Sequence, residues 1–120
     1  MTKEKLFKLV IKEFSEIDQE KQWTYSLLFP MFFNEQKITK ITITDHYKLE
    51  HSDVMTNEKI LEITKELDGK IMKPEPKKKS TWPDVFVAKG IEYKEKKHLL
   101  VFWFEKNNSD WIWIRDCYPD

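Results

Sequence analysis

Residues 99–115 read LLVFWFEKNNSDWIWIR. Leu99–Glu105 is apolar at both parities, the pattern of a strand covered on both sides. Lys106–Asp110 is a cluster of turn formers, and Trp111–Arg115 reads as the strand that returns beside the first. This hairpin predicts a sheet as the framework of the fold. On the returning strand, alternation puts Trp111, Trp113 and Arg115 on one face and Ile112, Ile114 and Asp116 on the other. With the Ile face as core, the Trp face meets solvent and offers stacking planes beside a guanidinium, as single-stranded RNA binding requires. The same stripe suits a protein interface, where Trp and Arg are enriched. With the Trp face as core, it packs on the first helix.

Upstream, Ile38–Thr44, ITKITIT, alternates cleanly: Ile41 and Ile43 point one way, Lys40, Thr42 and Thr44 the other. Residues 23–33, WTYSLLFPMFF, predict an edge strand or two pieces broken at Pro30, because proline donates nothing to a ladder. The two stretches together suggest a hairpin across the polar connection 34–37. Val85–Lys89 and residues 91–94 are short strands about a bend at Gly90.

Two segments predict helices. In residues 3–17, Leu6, Leu9, Val10, Phe14 and Ile17 recur at spacings of three and four, the stripe of an amphipathic helix. In residues 57–67, Thr56 or Asn57 caps the start, Glu58 lies in the first turn, Ile60, Ile63 and Leu67 form the stripe and Gly69 follows the end. A helical turn, HYKLEH, opens after Asp45. KIMKPEPKKKSTWP is an extended surface loop. The expected architecture is a single α+β domain over residues 1–120. Its sheet is mostly antiparallel, with an N-terminal helix and a central helix packed on it.

The 120 residues carry 21 basic and 21 acidic side chains. That balance argues against a protein that coats nucleic acid, which needs a basic excess. The charges are segregated. Residues 45–68 hold seven acids and three lysines, residues 70–97 nine lysines and four acids. The basic stretch is a strip for phosphates or an acidic partner, or a solvated surface. Twenty basic residues are Lys and only Arg115 is Arg; its planar fork grips a phosphate as Lys cannot. Two glycines exclude Gly-rich phosphate loops, and the single Cys117 excludes an internal disulfide or a Cys-based zinc site. No apolar run reaches membrane-span length and the N-terminus lacks a signal-like core, so a cytoplasmic protein without membrane contact is expected.

For catalysis, His46 and Glu50 fall four apart if a helical turn starts at Asp45. A carboxylate there would hold the imidazole tautomer and raise its pKa, as acid–base work requires; the alternative is an exposed histidine with a passing ion pair. His46, Glu50 and His51 do not match the spacing of a zinc-binding helix, so no metal is expected.

ITITDH, the helix MTNEKILEITKEL and the terminal IRDCYPD resemble the BrnT-like branch of the RelE superfamily of bacterial toxins. TWPDVF and EYKEKKHLLVFWF resemble the late part of the related MqsR-type toxins. Together these cover residues 38–120. The resemblance implies a RelE-like sheet with flanking helices and a metal-independent, cofactor-free endoribonuclease held in check by an antitoxin. In that chemistry the RNA 2′-hydroxyl attacks its own phosphorus. Carried over, Arg115 meets the phosphate, His46 with Glu50 handles the proton, and Tyr93 or Tyr118 donates or stacks. Lys70, Lys73, Lys77, Lys78 and Lys79 hold the RNA backbone, and Trp111 and Trp113, read from the alternation above, offer the stacking planes. The second functional expectation is a non-catalytic protein-binding module (immunity protein, antitoxin or phage-encoded inhibitor) that uses the Trp-rich hairpin.

Overall fold

The computed structural model describes residues 7–15, 20–45, 55–81, 83–105 and 108–119. Six strands form one sheet: β1 (Phe7–Ser15), β2 (Glu20–Phe33), β3 (Gln36–Thr44), β4 (Phe86–Tyr93), β5 (Lys96–Glu105) and β6 (Asn108–Pro119). The order across the sheet is β1-β2-β3-β6-β5-β4. Each half is an antiparallel three-stranded meander, and the halves join through β3 and β6, which run parallel in the register Lys40↔Trp111 to Ile43↔Ile114. Helix α1 (Asn57–Thr64), prolonged by a 3-10 turn at Lys65–Leu67, lies in the connection between the halves.

The expected α+β, RelE-like layout with an N-terminal helix is therefore corrected to a mostly-β, mixed sheet with one short helix among the described residues. The segment read as the first helix is β1. Phe7, Leu9, Val10, Ile11 and Phe14 fit a helical stripe and a strand equally well, and β-branched and aromatic residues favour the pleated state once a partner is present. That partner is β2, from Phe7↔Leu27 to Ser15↔Glu20. The turn read at HYKLEH lies outside the described residues.

Strand β2 is interior, flanked by β1 and β3. It accommodates Pro30 through a wide irregularity. Ser26 pairs with Lys40 and Met31 with Ile38, so residues 27–30 face Thr39 alone. Pro30 sits where no ladder bond is needed.

The core lies between α1 and one face of the sheet. Ile60, Ile63 and Leu67 share one hydrophobic cluster with Ile41, Ile43, Ile112, Ile114, Leu100 and Phe102, all nearly or fully buried. Phe33 packs edge-on against Phe86 and Phe102, with ring centroids 5.4 and 5.2 Å away, a geometry each pair favours by about 1 kcal/mol beyond burial. Helix α1 starts where its cap predicts: the Thr56 hydroxyl accepts from the Lys59 amide at 3.2 Å. The side chain of Asn34 then ties down the chain that leaves the helix, its Nδ2 donating to the Met72 carbonyl and its Oδ1 accepting from the Met72 amide.

Two hairpins turn through two residues with positive φ: Asn34-Glu35 (51° and 64°) and Lys94-Glu95 (49° and 67°). This is the turn that matches strand twist, and Asn-Gly suits it best. Replacing Lys94-Glu95 by Asn-Gly is expected to stabilise the protein by about 1 kcal/mol. A higher urea midpoint at unchanged slope is the check.

Candidate functional site

The face of the sheet opposite α1 is aromatic. Since Ile112 and Ile114 are core, Trp111 and Trp113 point to the other side, where both are half-buried. Trp103 on β5 pairs with Trp113 across the β5–β6 ladder, and Val101 and Leu99 continue its row, all partly exposed. The Trp111 and Trp113 rings stack at 6.0 Å with a 28° tilt, and the Lys40 ammonium sits 5.1 Å from the Trp111 ring centre, an attraction worth about 0.5–1 kcal/mol at an exposed site.

A hydrogen-bond chain beneath fixes these rings. The Trp111 indole N–H donates to the Thr42 hydroxyl at 2.8 Å, and the Thr42 and Thr24 hydroxyls share a bond of 2.7 Å. Both threonines are buried, so this chain satisfies groups that would otherwise be costly to desolvate. At the lower end the Thr39 hydroxyl donates to Asp110 at 3.1 Å. The Trp113 indole nitrogen is buried without an acceptor among the described residues.

Alternation fails at Arg115. Ile114 pairs with Phe102 and Asp116 with Val101, so β6 holds one extra residue there. The sequence expectation that Arg115 continues the Trp face while Asp116 shares the Ile face is corrected by this bulge, which resets the parity. Cys117 thereby joins the buried face. Arg115 itself is exposed, and its carbonyl accepts from the Thr44 hydroxyl at 3.4 Å.

Of the other expected site residues that are described, Tyr118 borders this surface, while Tyr93 and the lysines lie apart from it. Tyr93 ends β4 on the helix side, where its hydroxyl donates to the Glu62 carboxylate. Tyr118 is half-buried and pairs with Leu99 on β5. Lys70 forms a bridge to Phe33 at the lower end of the sheet, and Lys73, Lys77, Lys78 and Lys79 are exposed in the following loop. Lys77 pairs with Asp84 at 2.9 Å. His46 and Glu50 lie outside the described residues. Among the described residues no three His, Cys, Asp or Glu side chains converge as a metal would need.

Two buried titratable groups share the helix side. His98 is fully buried, next to Tyr93 with ring centres 6.1 Å apart, and neither of its nitrogens has a well-formed hydrogen bond. Loss of hydration, reinforced by the Lys59 charge, holds its pKa below the ordinary 6.5. Loss of hydration first, and then the Asp116 charge, push the Cys117 thiol up to about 12. It is no nucleophile at neutral pH.

Trp103, Lys40 and Thr42 complete the aromatic surface, and sequence reasoning did not assign them to it. Alternation within ITKITIT marked Lys40 and Thr42 as one polar face, but only the parallel β3–β6 register brings that face to the tryptophans. No family model, curated protein or solved structure matches the chain. No described helix is long and apolar enough to cross a membrane.

Three outcomes are expected. Thr42→Val strips Trp111 and Thr24 of a partner and should cost about 1–3 kcal/mol in urea unfolding. Unfolded His98 takes up its proton near the ordinary pKa and folded His98 resists it. Stability should therefore fall as pH drops below about 6.5 and level off below the folded pKa. His98→Phe should flatten that dependence in urea titrations from pH 7.5 to 5. Cys117 should ignore a thiol reagent in the native protein and react once the chain is unfolded.

Proposed function

We propose that this chain is a non-catalytic protein-binding module and that the Trp-rich face of β5 and β6 is its contact surface. The observation that carries this reading is the sidedness of the sheet. Helix α1 covers one face, while Trp103, Trp111 and Trp113, with Val101 and Leu99, stay partly exposed on the other. Large aromatic side chains held in place lose little entropy when a partner covers them, and they dominate binding energies at interfaces. The rings are held in this way: Trp111 is engaged by Thr42, Lys40 and Trp113 together. Those contacts also occupy the ring that would have to receive a nucleobase, so the surface suits an apolar segment of a partner protein better than a stacked RNA strand.

The endoribonuclease reading finds less support. Its described candidates sit on different parts of the molecule: Tyr93 on the helix side, Arg115 at the bulge, the lysines in the loop below β2. Neutral charge balance also favours a protein partner over RNA.

Induced expression in a bacterial host separates the readings. The binding reading expects intact total RNA and no growth arrest that depends on catalysis. A partner captured by the wild type should bind the purified protein about tenfold or more weakly when Trp103→Glu removes one aromatic anchor, with the circular dichroism spectrum unchanged. Fragmented mRNA in the wild type, restored by Arg115→Ala, would overturn the proposal and reinstate the nuclease.

A further inference from the structure

A second surface lies at the other half of the sheet. Within the β2 irregularity Leu28, Phe29 and Pro30 have no partner in the β3 ladder, which passes from Ser26 directly to Met31, and none among the described residues of β1. Leu28 and Phe29 stand in solvent at 52% and 63% exposure. Phe32 follows at 51%, on the opposite side of the strand from the core residue Phe33. The segment after the helix brings in a fourth apolar group. The Gly69 amide donates to the Phe32 carbonyl and the Asn34 amide to the Lys70 carbonyl, which sets Ile71 beside the end of β2 at 71% exposure. Four of the five large apolar side chains most exposed in the described protein therefore belong to this corner.

The chain that follows Ile71 is basic. Residues 70–79 carry five lysines, Lys70, Lys73, Lys77, Lys78 and Lys79, against the single acid Glu75, and all six are exposed. Lys37 pairs with Phe32 on β3 and is exposed as well. Three further acids lie near: Glu35 in the hairpin turn, Asp68, whose carboxylate accepts the Phe32 amide at 2.8 Å, and Asp84, which pairs with Lys77 at 2.9 Å. The corner is thus a projecting apolar tip followed by a run of cations.

We infer that this corner binds an anionic lipid surface, with Leu28, Phe29, Phe32 and Ile71 entering the headgroup boundary and the lysines of residues 70–79 lying on the phosphates. Apolar insertion and a polybasic patch are separately weak and jointly sufficient for reversible attachment. A projecting tip suits a yielding interface, whereas a rigid protein partner would need a matching pocket. Two of the four apolar groups are aliphatic, which favours acyl chains over stacked bases. The sequence expectation of no membrane contact rested on the lack of a spanning segment and of a signal-like core, and the inference departs from it: attachment through exposed side chains needs neither.

The test is flotation of the full chain with phosphatidylcholine vesicles, with and without phosphatidylglycerol. The expected result is binding only when phosphatidylglycerol is present, weakening as salt is raised. Phe29→Ser should weaken it by about tenfold or more, and so should Lys70→Glu combined with Lys73→Glu. Phe29→Leu should retain it. Phe29 is exposed, so Phe29→Ser should leave the urea midpoint unchanged. Absence of binding to phosphatidylglycerol vesicles at low salt would overturn the inference, as would binding indifferent to Phe29→Ser. It would also be overturned by a dimer that Phe29→Ser dissociates, or by single-stranded RNA bound at the same lysines in preference to vesicles.

Discussion

The parallel pairing of β3 with β6 is the interaction on which the rest of the molecule depends. It joins residues about seventy positions apart in the chain, Lys40 with Trp111 through Ile43 with Ile114. Without it the chain is two separate meanders, each with an unsatisfied edge. With it, Ile41, Ile43, Ile112 and Ile114 become one buried stripe beneath α1, and the same register aligns Lys40 and Thr42 with the two tryptophans on the reverse side. One set of ladder bonds therefore builds both the core and the candidate contact surface. Closing so long a loop costs entropy before any contact rewards it. The buried isoleucines at the seam, each contributing about 1.5–3 kcal/mol on full burial, are the natural compensation.

Three departures from regular pairing give the sheet its particular surfaces. In β2 the irregularity before Met31 makes room for a proline in an interior strand and projects Leu28 and Phe29. In β4 the extra residue between Ala88 and Ile91 sits at Gly90, whose φ of +68° is open to glycine at little cost. In β6 the extra residue is Arg115. It turns Cys117 inward and leaves the only arginine at the point where alternation breaks. Each bulge re-aims the side chains after it, so the positions that look irregular are the ones that decide which residues meet solvent.

Elements with local signals were legible in the sequence. Helix α1 announced itself through the Thr56 cap, the Ile60–Ile63–Leu67 stripe and Gly69. The β5–β6 hairpin and β3 were readable from composition and alternation, and with Ile112 and Ile114 as core the solvent-facing Trp111 and Trp113 followed. Strand β1 was misread because its apolar residues satisfy both periods, and the decision belonged to a partner strand. The β3–β6 neighbourhood was illegible for a different reason: nothing local in ITKITIT says which strand lies beside it. Lys40, Thr42 and Trp103 could not be assigned to the surface until that register was known. The bulge at Arg115 was hidden as well, since a one-residue shift in parity leaves no mark on composition.

The separation of the two faces is the point on which the account stands, and a nuclear Overhauser spectrum of the side chains reads it directly. The fold predicts contacts from the Ile112 and Ile114 methyls to those of Ile60 and Ile63, and backbone contacts between β3 and β6 in the Lys40–Trp111 register. It also predicts no contact between the ring protons of Trp103, Trp111 or Trp113 and α1. Ring protons of Trp113 in contact with the Ile60 or Ile63 methyls would contradict it, because the tryptophans would then be core and the proposed binding face would not exist.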